Sequence, residues 1–328
     1  MPEPDRQNHL YGGQALIEGV MMRGRDHWAV AVRRPDEQIY LESHDIDSVA
    51  KRHPTLAKPG LRGVIALGQA MSIGFRALTI ATHQAQPEEE QLGKGGMALA
   101  MTLALTLFVG VFIVGPAWLF GWAEKAFLGT GLGANILEGI FRVMLLVGYV
   151  WAIGLMGEVR RVYQYHGAEH KTIAAYEHDS PLDPDRVDEY STLHVRCGTN
   201  FLLIILIITI LVFSAFPPLP MGWRIASRVI AIIPIAAVSY EMLRLGAKFH
   251  GSLVMRALMA PGLWLQKITT RPPDRDQIEI AISSFEEVLR CEGEGTDRPE
   301  GGLLGDPVAA SERPGTEKSP ERPSPASA

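Results

Sequence analysis

Apolar residues in this chain come in long blocks. From Gly95 to Ala123, GGMALAMTLALTLFVGVFIVGPAWLFGWA holds no charged residue. A helix of about 20 such residues crosses the hydrocarbon core of a bilayer, so this block predicts a span with room for tilt. Pro116 beside Gly115 predicts a bend in its outer part. A second run covers 136–157, with Glu138 and Arg142 near one end, and a third covers 197–223, again without charge. The fourth, 224–245, is weaker: Arg224, Arg228, Glu241 and Arg244 flank the neutral stretch 229–240. Its arginines can snorkel to the interface, which keeps it a span. Core helices of soluble proteins seldom run as long as the first and third blocks without charge.

Lysines and arginines orient these spans. The connection between spans one and two offers Lys125, and FPPLPMG between spans three and four offers none. Between spans two and three lie Arg160, Arg161, Lys171, Arg186 and Arg196; Lys248, Arg256 and Lys267 follow span four. Both termini and the central loop are therefore expected in the cytoplasm, with two short external hairpins. The polar N-terminus, MPEPDRQNHL, shows no signal-peptide h-region.

The flanking stretches carry other periods. In HWAVAVRRPDEQIYLESHDI apolar residues alternate on both sides of Pro-Asp, which predicts a hairpin within a β-rich stretch over 11–59. Ahead of it, Gly12, Gly13, Gly19 and Gly24 surround a short apolar strand, with Glu18 inside it. No phosphate-loop or dinucleotide fingerprint accompanies these glycines, so turns are the expected use. Residues 60–83 read as a mostly apolar helix, but Arg62 and Arg76 leave too short a neutral stretch for a span. An interfacial or re-entrant helix fits better. GSLVMRALMAPGLWLQKITT is expected to lie along the cytoplasmic face. After it, Ile278, Ala281, Ile282, Phe285, Val288 and Leu289 fall at helical spacing, the face of a docking helix.

These patterns predict an α-helical polytopic membrane protein with four transmembrane helices, a small β module and cytoplasmic amphipathic helices. The divisions are an N-terminal β-rich module (1–59), an interfacial helix (60–94), a transmembrane domain (95–245) with a cytoplasmic loop at 158–199, cytoplasmic interfacial and amphipathic helices (246–290), and a disordered acidic tail (291–328). The expected location is the bacterial inner membrane, and the first partner is the lipid bilayer. Composition adds little to this. The formal charge of −5 comes largely from 291–328, where eight Asp/Glu face four Lys/Arg. No basic balance points to nucleic acid. Cys197 and Cys291 make no disulfide framework.

The candidate chemistry lies just past span two. In YQYHGAEHKTIAAYE, His166, Glu169 and His170 form H-x-x-E-H, the pattern of inverted zincins. On a helix the two histidines share a face one turn apart and can reach one ion, with Glu169 on the flank as general base to a metal-bound water. The helix is expected to continue span two into the cytoplasm. A catalytic zinc usually takes three protein ligands. Glu177 lies about 10 Å further along the axis, too far for direct ligation, which makes it an outer-shell candidate. His194 and Cys197, in STLHVRCGTN, return to the same membrane surface and complete the candidate set for Zn2+ or another divalent transition metal. If all four bind, the sphere closes and the metal is structural; with one absent, water enters and Glu169 has a role. Glu18 and Arg196 are further candidates for the outer shell. A plainer reading leaves an exposed charged helix whose His170 and Lys171 meet anionic headgroups.

The blocks YGGQALIEGVMMRG, YHGAEHKTIAAYE, RCGTNFL and PGLWLQKITTRPPDRDQIEIAI together resemble the YqhQ family (domain of unknown function 1385). These are bacterial membrane proteins often labelled predicted metal-dependent enzymes. The resemblance runs from about residue 10 to residue 290 and singles out Gly12, Gly13, Glu18, Arg23, His166, Glu169, His170, Glu177, Arg196 and Cys197. The chain does not resemble the soluble inverted-zincin peptidases, which use a distant third glutamate. The leading expectation is a metal-dependent hydrolase at the cytoplasmic face. The alternative is a non-enzymatic assembly factor or scaffold for other membrane proteins, suggested by the β module, the interfacial helices and the docking helix 276–290.

Overall fold

The computed structural model describes residues 11–47, 58, 60–87, 93–129, 131–194, 197–215, 219–248 and 253–293. Residues 294–328 of the acidic tail, Arg196 and His250 lie outside them. Four strands, β1 (Gly12–Leu16), β2 (Gly19–Arg23), β3 (His27–Arg33) and β4 (Ile39–Asp45), form an antiparallel meander in sequence order. The expected hairpin pairs β3 with β4, Ala31 opposite Leu41. Its turn closes where Arg34 N donates to Gln38 O (2.9 Å) and Gln38 N to Asp36 Oδ1 (3.2 Å). Gly12, Gly13 and Gly19 lie in strands, so turns are not their use. Glu18 sits in the β1–β2 turn rather than in a strand, with φ 51°.

The helices are α1 (Leu61–Ala85), α2 (Gly95–Leu128), α3 (Leu132–Ile153), α4 (Gly157–Glu177), α5 (Pro184–Asp188), α6 (Gly198–Ser214), α7 (Met221–Lys248), α8 (Leu253–Thr269) and α9 (Arg275–Cys291). Helix α2 contains two π-helical segments, Gly110–Val114 and Glu124–Leu128. Helices α1, α2, α3 and the Met221–Leu243 part of α7 are long and apolar enough to cross a membrane. Their outward faces carry Leu103, Leu105, Leu107, Ile230, Ile233 and many other exposed apolar side chains. So much exposed apolar surface on adjacent helices suits lipid rather than water.

This set of four differs from the sequence expectation in two places. Helix α6 stops at Ser214 and the next helix begins at Met221, which agrees with the expected turn at FPPLPMG but leaves the third run shorter than the other apolar helices. Pro217, Pro218 and Pro220 in that interval are poor helix residues. With 17 residues α6 is the shorter apolar helix, and it packs against α3, α7 and α8. Conversely, α1 runs 25 residues because it absorbs both of its arginines. Arg62 Nε donates to Glu241 Oε1 at 2.7 Å, and Arg76 lies 5.7 Å from the centre of the Trp28 ring. Glu241 thus pairs across helices.

The sheet is covered on both faces. One face buries Leu16, Met21, Trp28, Val30 and Val32 against Ile73, Ala77 and Ala81 of α1. The other buries Val20, Met22, Ala29 and Ala31 against α4 and α9. Helix α9 opens with a capping box between Asp274 and Gln277, and all six of its expected apolar positions are buried. Its docking partner is the chain's own sheet. Ser284 of α9 accepts from Met22 N (3.1 Å) and donates to Ala29 O (3.0 Å), bridging β2 and β3. Three rings pack edge to face, Phe285 lying 5.1 Å from Tyr11 and 5.0 Å from Tyr176. The core therefore joins residues of β1–β4, α4 and α9 from three distant parts of the chain. Phe285→Ala should lower stability by about 3–5 kcal/mol, read as a fall in denaturation midpoint of the detergent-solubilised chain.

Candidate metal centre

Helix α4 does not continue α3. The chain turns at Gly154–Met156, and a Cβ on Gly154 would lie 2.7 Å from the Tyr163 ring. The Tyr163 hydroxyl donates to Val150 O at 3.0 Å, which fixes the corner. Beyond it α4 enters the core, burying Tyr165, Gly167, Ala168, Glu169, His170, Lys171, Thr172, Ile173 and Ala175. The exposed-helix reading of His170 and Lys171 therefore fails. Lys171 is buried, and its ammonium reaches Asp188 Oδ1 at 2.9 Å. At the start of the helix, Arg161 donates to both oxygens of Glu18 at 2.5 Å, and the Tyr165 hydroxyl donates to Glu18 Oε2 at 3.1 Å. Burial alone would raise the Glu18 carboxyl, but the Arg161 hydrogen bonds and charge hold it below the usual range. These bonds tie the left-handed β1–β2 turn to α4.

Three of the four expected ligands converge. The ligand atoms of His166, His170 and Cys197 all lie within 4.8 Å of one another. His166 Nε2 is 3.2 Å from Cys197 Sγ, and the two imidazole centroids are 4.4 Å apart. Each imidazole is held from behind by a backbone carbonyl: His166 Nδ1 lies 3.0 Å from Thr269 O, and His170 Nδ1 lies 2.6 Å from Thr192 O. A carbonyl only accepts, so both Nδ1 atoms carry the proton and both Nε2 lone pairs are left for an electrophile. His170 is 1% exposed, and its Nε2 has no hydrogen-bond partner among the described residues. An orphaned buried acceptor of this kind calls for an explanation. Cys197 is the N-cap of α6, its sulfur accepting from Thr199 N (3.4 Å) and Thr199 Oγ1 (3.3 Å).

His194 stands beside this trio rather than in it. Its ring is 5.7 Å from that of His170, and its Nε2 pairs with Glu177 Oε2 at 3.3 Å. Glu177 is thus placed around the centre through His194. The His194 backbone is clamped on both sides by buried Gln266, whose amide accepts from His194 N and donates to His194 O, each at 2.8 Å. Glu169 turns to the sheet side of α4 and accepts from the backbone N–H of Gly13. A Cβ at Gly13 would lie 2.9 Å from the Glu169 carboxyl carbon, so close approach requires this glycine.

Burial dominates the electrostatics. It pushes the Glu169 carboxyl up to about 8, with the Cys197 sulfur adding to the rise and His166 and the Gly13 amide opposing it. Burial pushes His170 down to about 2, assisted by His166, and His194 down to about 4. The Cys197 thiol is raised by burial against the pull of its Thr199 hydrogen bonds.

The donors fit a divalent transition metal. Zinc accepts neutral imidazole and thiolate, and holds them about 3.3–3.6 Å apart in a tetrahedral shell. The His166–Cys197 separation of 3.2 Å lies just below that range, and the outer limit of the trio needs to close by about 1 Å. Ligating histidines typically donate their second ring N–H to a carbonyl or carboxylate, as both do here. Three donors leave one position open. Thr192, Gln266 and Thr269, which hold the ligands, were not singled out by sequence. Two of them act through main-chain carbonyls, which leave no residue-type signature.

No solved structure matches the chain. The uncharacterised protein YqhQ of Bacillus subtilis (strain 168) is 36% identical over 303 residues, 86% of this chain and 93% of that protein. The family model described as "Protein of unknown function (DUF1385)" matches residues 58–291. That stretch includes His166, Glu169, His170, His194 and Cys197, while Gly13 and Glu18 precede it. By both measures, the chain belongs to the DUF1385 family.

Proposed function

We propose that this protein is a multi-pass protein of the bacterial inner membrane with a zinc or similar divalent metal held by His166, His170 and Cys197, and that it catalyses a hydrolysis at the cytoplasmic face. The observation that carries the metal is the pair of imidazoles, each with Nδ1–H on a carbonyl, the His166 Nε2 lying against the Cys197 sulfur and the buried His170 Nε2 left without a partner among the described residues. All three side chains offer ligand atoms within 4.8 Å of one another. When bound, the metal supplies Lewis acidity and lowers the pKa of a coordinated water. His166 and His170 orient that centre through their carbonyl contacts, and Cys197 contributes charge. Glu169, kept protonatable near neutral pH by burial, holds the proton that a general acid–base step moves. Glu177 fixes the His194 ring beside the ligand set.

The cytoplasmic placement of the sheet, α4 and α9 rests on the lysine and arginine count of the central loop. Helix α1 is read as lying at the surface, because its second half covers the sheet, which has polar edges unsuited to lipid. A second reading, a structural metal in a non-enzymatic assembly factor, is favoured by the burial of the ligand set. It has less support from the docking helix, whose apolar face is already occupied by the sheet.

The full-length chain purified in detergent should contain about one zinc per chain. His170→Ala should lose it, and cobalt-loaded protein should show thiolate charge-transfer absorption that Cys197→Ser abolishes. Unchanged metal content in both variants would exclude this ligand set. Glu169→Gln should keep the metal and fail to restore a deletion strain; full restoration would favour the structural reading.

Stability of the metal-free chain should pass through a maximum near pH 6.5. Below 6.5 an unfolded chain protonates histidines that the fold keeps neutral at positions 170 and 194, so acid costs stability. Glu169 acts oppositely: its raised folded pKa favours the fold at low pH, an advantage lost as pH rises from 4.5 through about 8. Two histidines outweigh one carboxyl below 6.5, and the carboxyl acts alone above it. Thermal midpoints across pH 5–9 with a chelator present would check this.

A further inference from the structure

A second charged cluster lies far from the metal centre, where α2, α3 and α7 meet. Arg224 donates to Glu124 Oε2 (2.6 Å) and Oε1 (2.8 Å) and to Glu138 Oε2 (2.7 Å). Arg228 reaches both oxygens of Glu138 at 2.6 Å. Arg142 donates to Glu138 Oε1 (2.7 Å) and to the carbonyls of Phe112 and Ile113, inside the first π-helical segment of α2. The side chains are largely buried: Glu138 is 2% exposed, Arg224 and Glu124 7%, Arg228 10% and Arg142 12%.

Three arginines and two glutamates sum to +1. Glu138 is shared by all three guanidinium groups, so one cation has no carboxylate of its own. An uncompensated charge in apolar surroundings is costly, and ionisable groups within spans mark ligand sites more often than not. Around the cluster, Trp118, Trp122, Phe127 and Trp223 stand exposed, an aromatic belt of the kind found at headgroup level. Lys125, also exposed, adds another positive charge at this end. The nearest abundant anion at that depth is a lipid phosphate.

We propose that the Arg142–Arg224–Arg228 cluster binds one anionic phosphodiester headgroup in the leaflet opposite the β-sheet. This rests on the reading that α2, α3 and α7 cross the bilayer. Removing Arg228 takes away the excess charge and still leaves each glutamate an arginine, Arg224 for Glu124 and Arg142 for Glu138.

The test is native mass spectrometry of the full-length chain in neutral detergent with phosphatidylglycerol as probe. Wild type should retain one phosphatidylglycerol and discriminate against phosphatidylcholine. Arg228→Gln should retain about fivefold less, and Glu124→Gln, which adds uncompensated charge, about fivefold more. Loss of an ion pair alone would move both variants the same way, so opposite shifts identify the charge balance as the cause. Equal retention by all three chains overturns the site. Thermal protection by inorganic phosphate equal to that by phosphatidylglycerol overturns the assignment to lipid. A chain that stays folded and dispersed without detergent overturns the membrane reading instead.

Discussion

A helix carrying two histidines, a glutamate and a lysine in six positions can be buried only where each of those groups finds a partner, and the surroundings of α4 are arranged by that requirement. Lys171 finds Asp188, His166 finds the Thr269 carbonyl and the Cys197 sulfur, His170 finds the Thr192 carbonyl, and Glu169 finds the Gly13 amide. These partners come from α5, α8, the N-cap of α6, the loop before it and β1. Unpaired polar groups in such an interior cost about 1–3 kcal/mol each, so the positions of these elements are strongly coupled. One nitrogen of this helix, His170 Nε2, is left over among the described residues, on a ring that belongs to the candidate centre.

Much of the local structure was legible because it depends on short-range pattern. The alternation in HWAVAVRRPDEQIYLESHDI gives β3 and β4, and the helical spacing from Ile278 to Leu289 gives α9 with the expected buried face. The H-x-x-E-H spacing places both imidazoles on one face, and Cys197 joins them. Assembly was less legible, because it depends on contacts between segments hundreds of residues apart. Nothing in the spacing of α9 says that its face is filled by β2 and β3 of the same chain. A count of neutral residues between Arg62 and Arg76 misses that one arginine finds Glu241 and the other Trp28, which lets α1 run longer. Glycine density around residue 13 suggests turns, whereas its cause is the close approach of Glu169.

The site follows the same division. Residue types and spacing identified donors, but orientation decides which of them converge. His194 carries the right ring close to His170, yet Glu177 takes its Nε2. Orientation here is set largely by main-chain carbonyls at Thr192 and Thr269, whose positions depend on Gln266 bracketing His194 from α8. A glutamine in an apolar helix conveys no such role by its type.

Cys197 gives the arrangement a further property. Its sulfur faces His166 and also terminates α6, accepting from the amide of Thr199 at the first turn. A negatively charged sulfur at that position complements the positive end of the helix macrodipole, whereas a neutral thiol does so weakly. Any change in the charge of that one atom, by proton, oxidant or cation, is therefore transmitted to the end of an apolar helix that packs against three others. Chemistry at the surface and the seating of the bundle share a common atom.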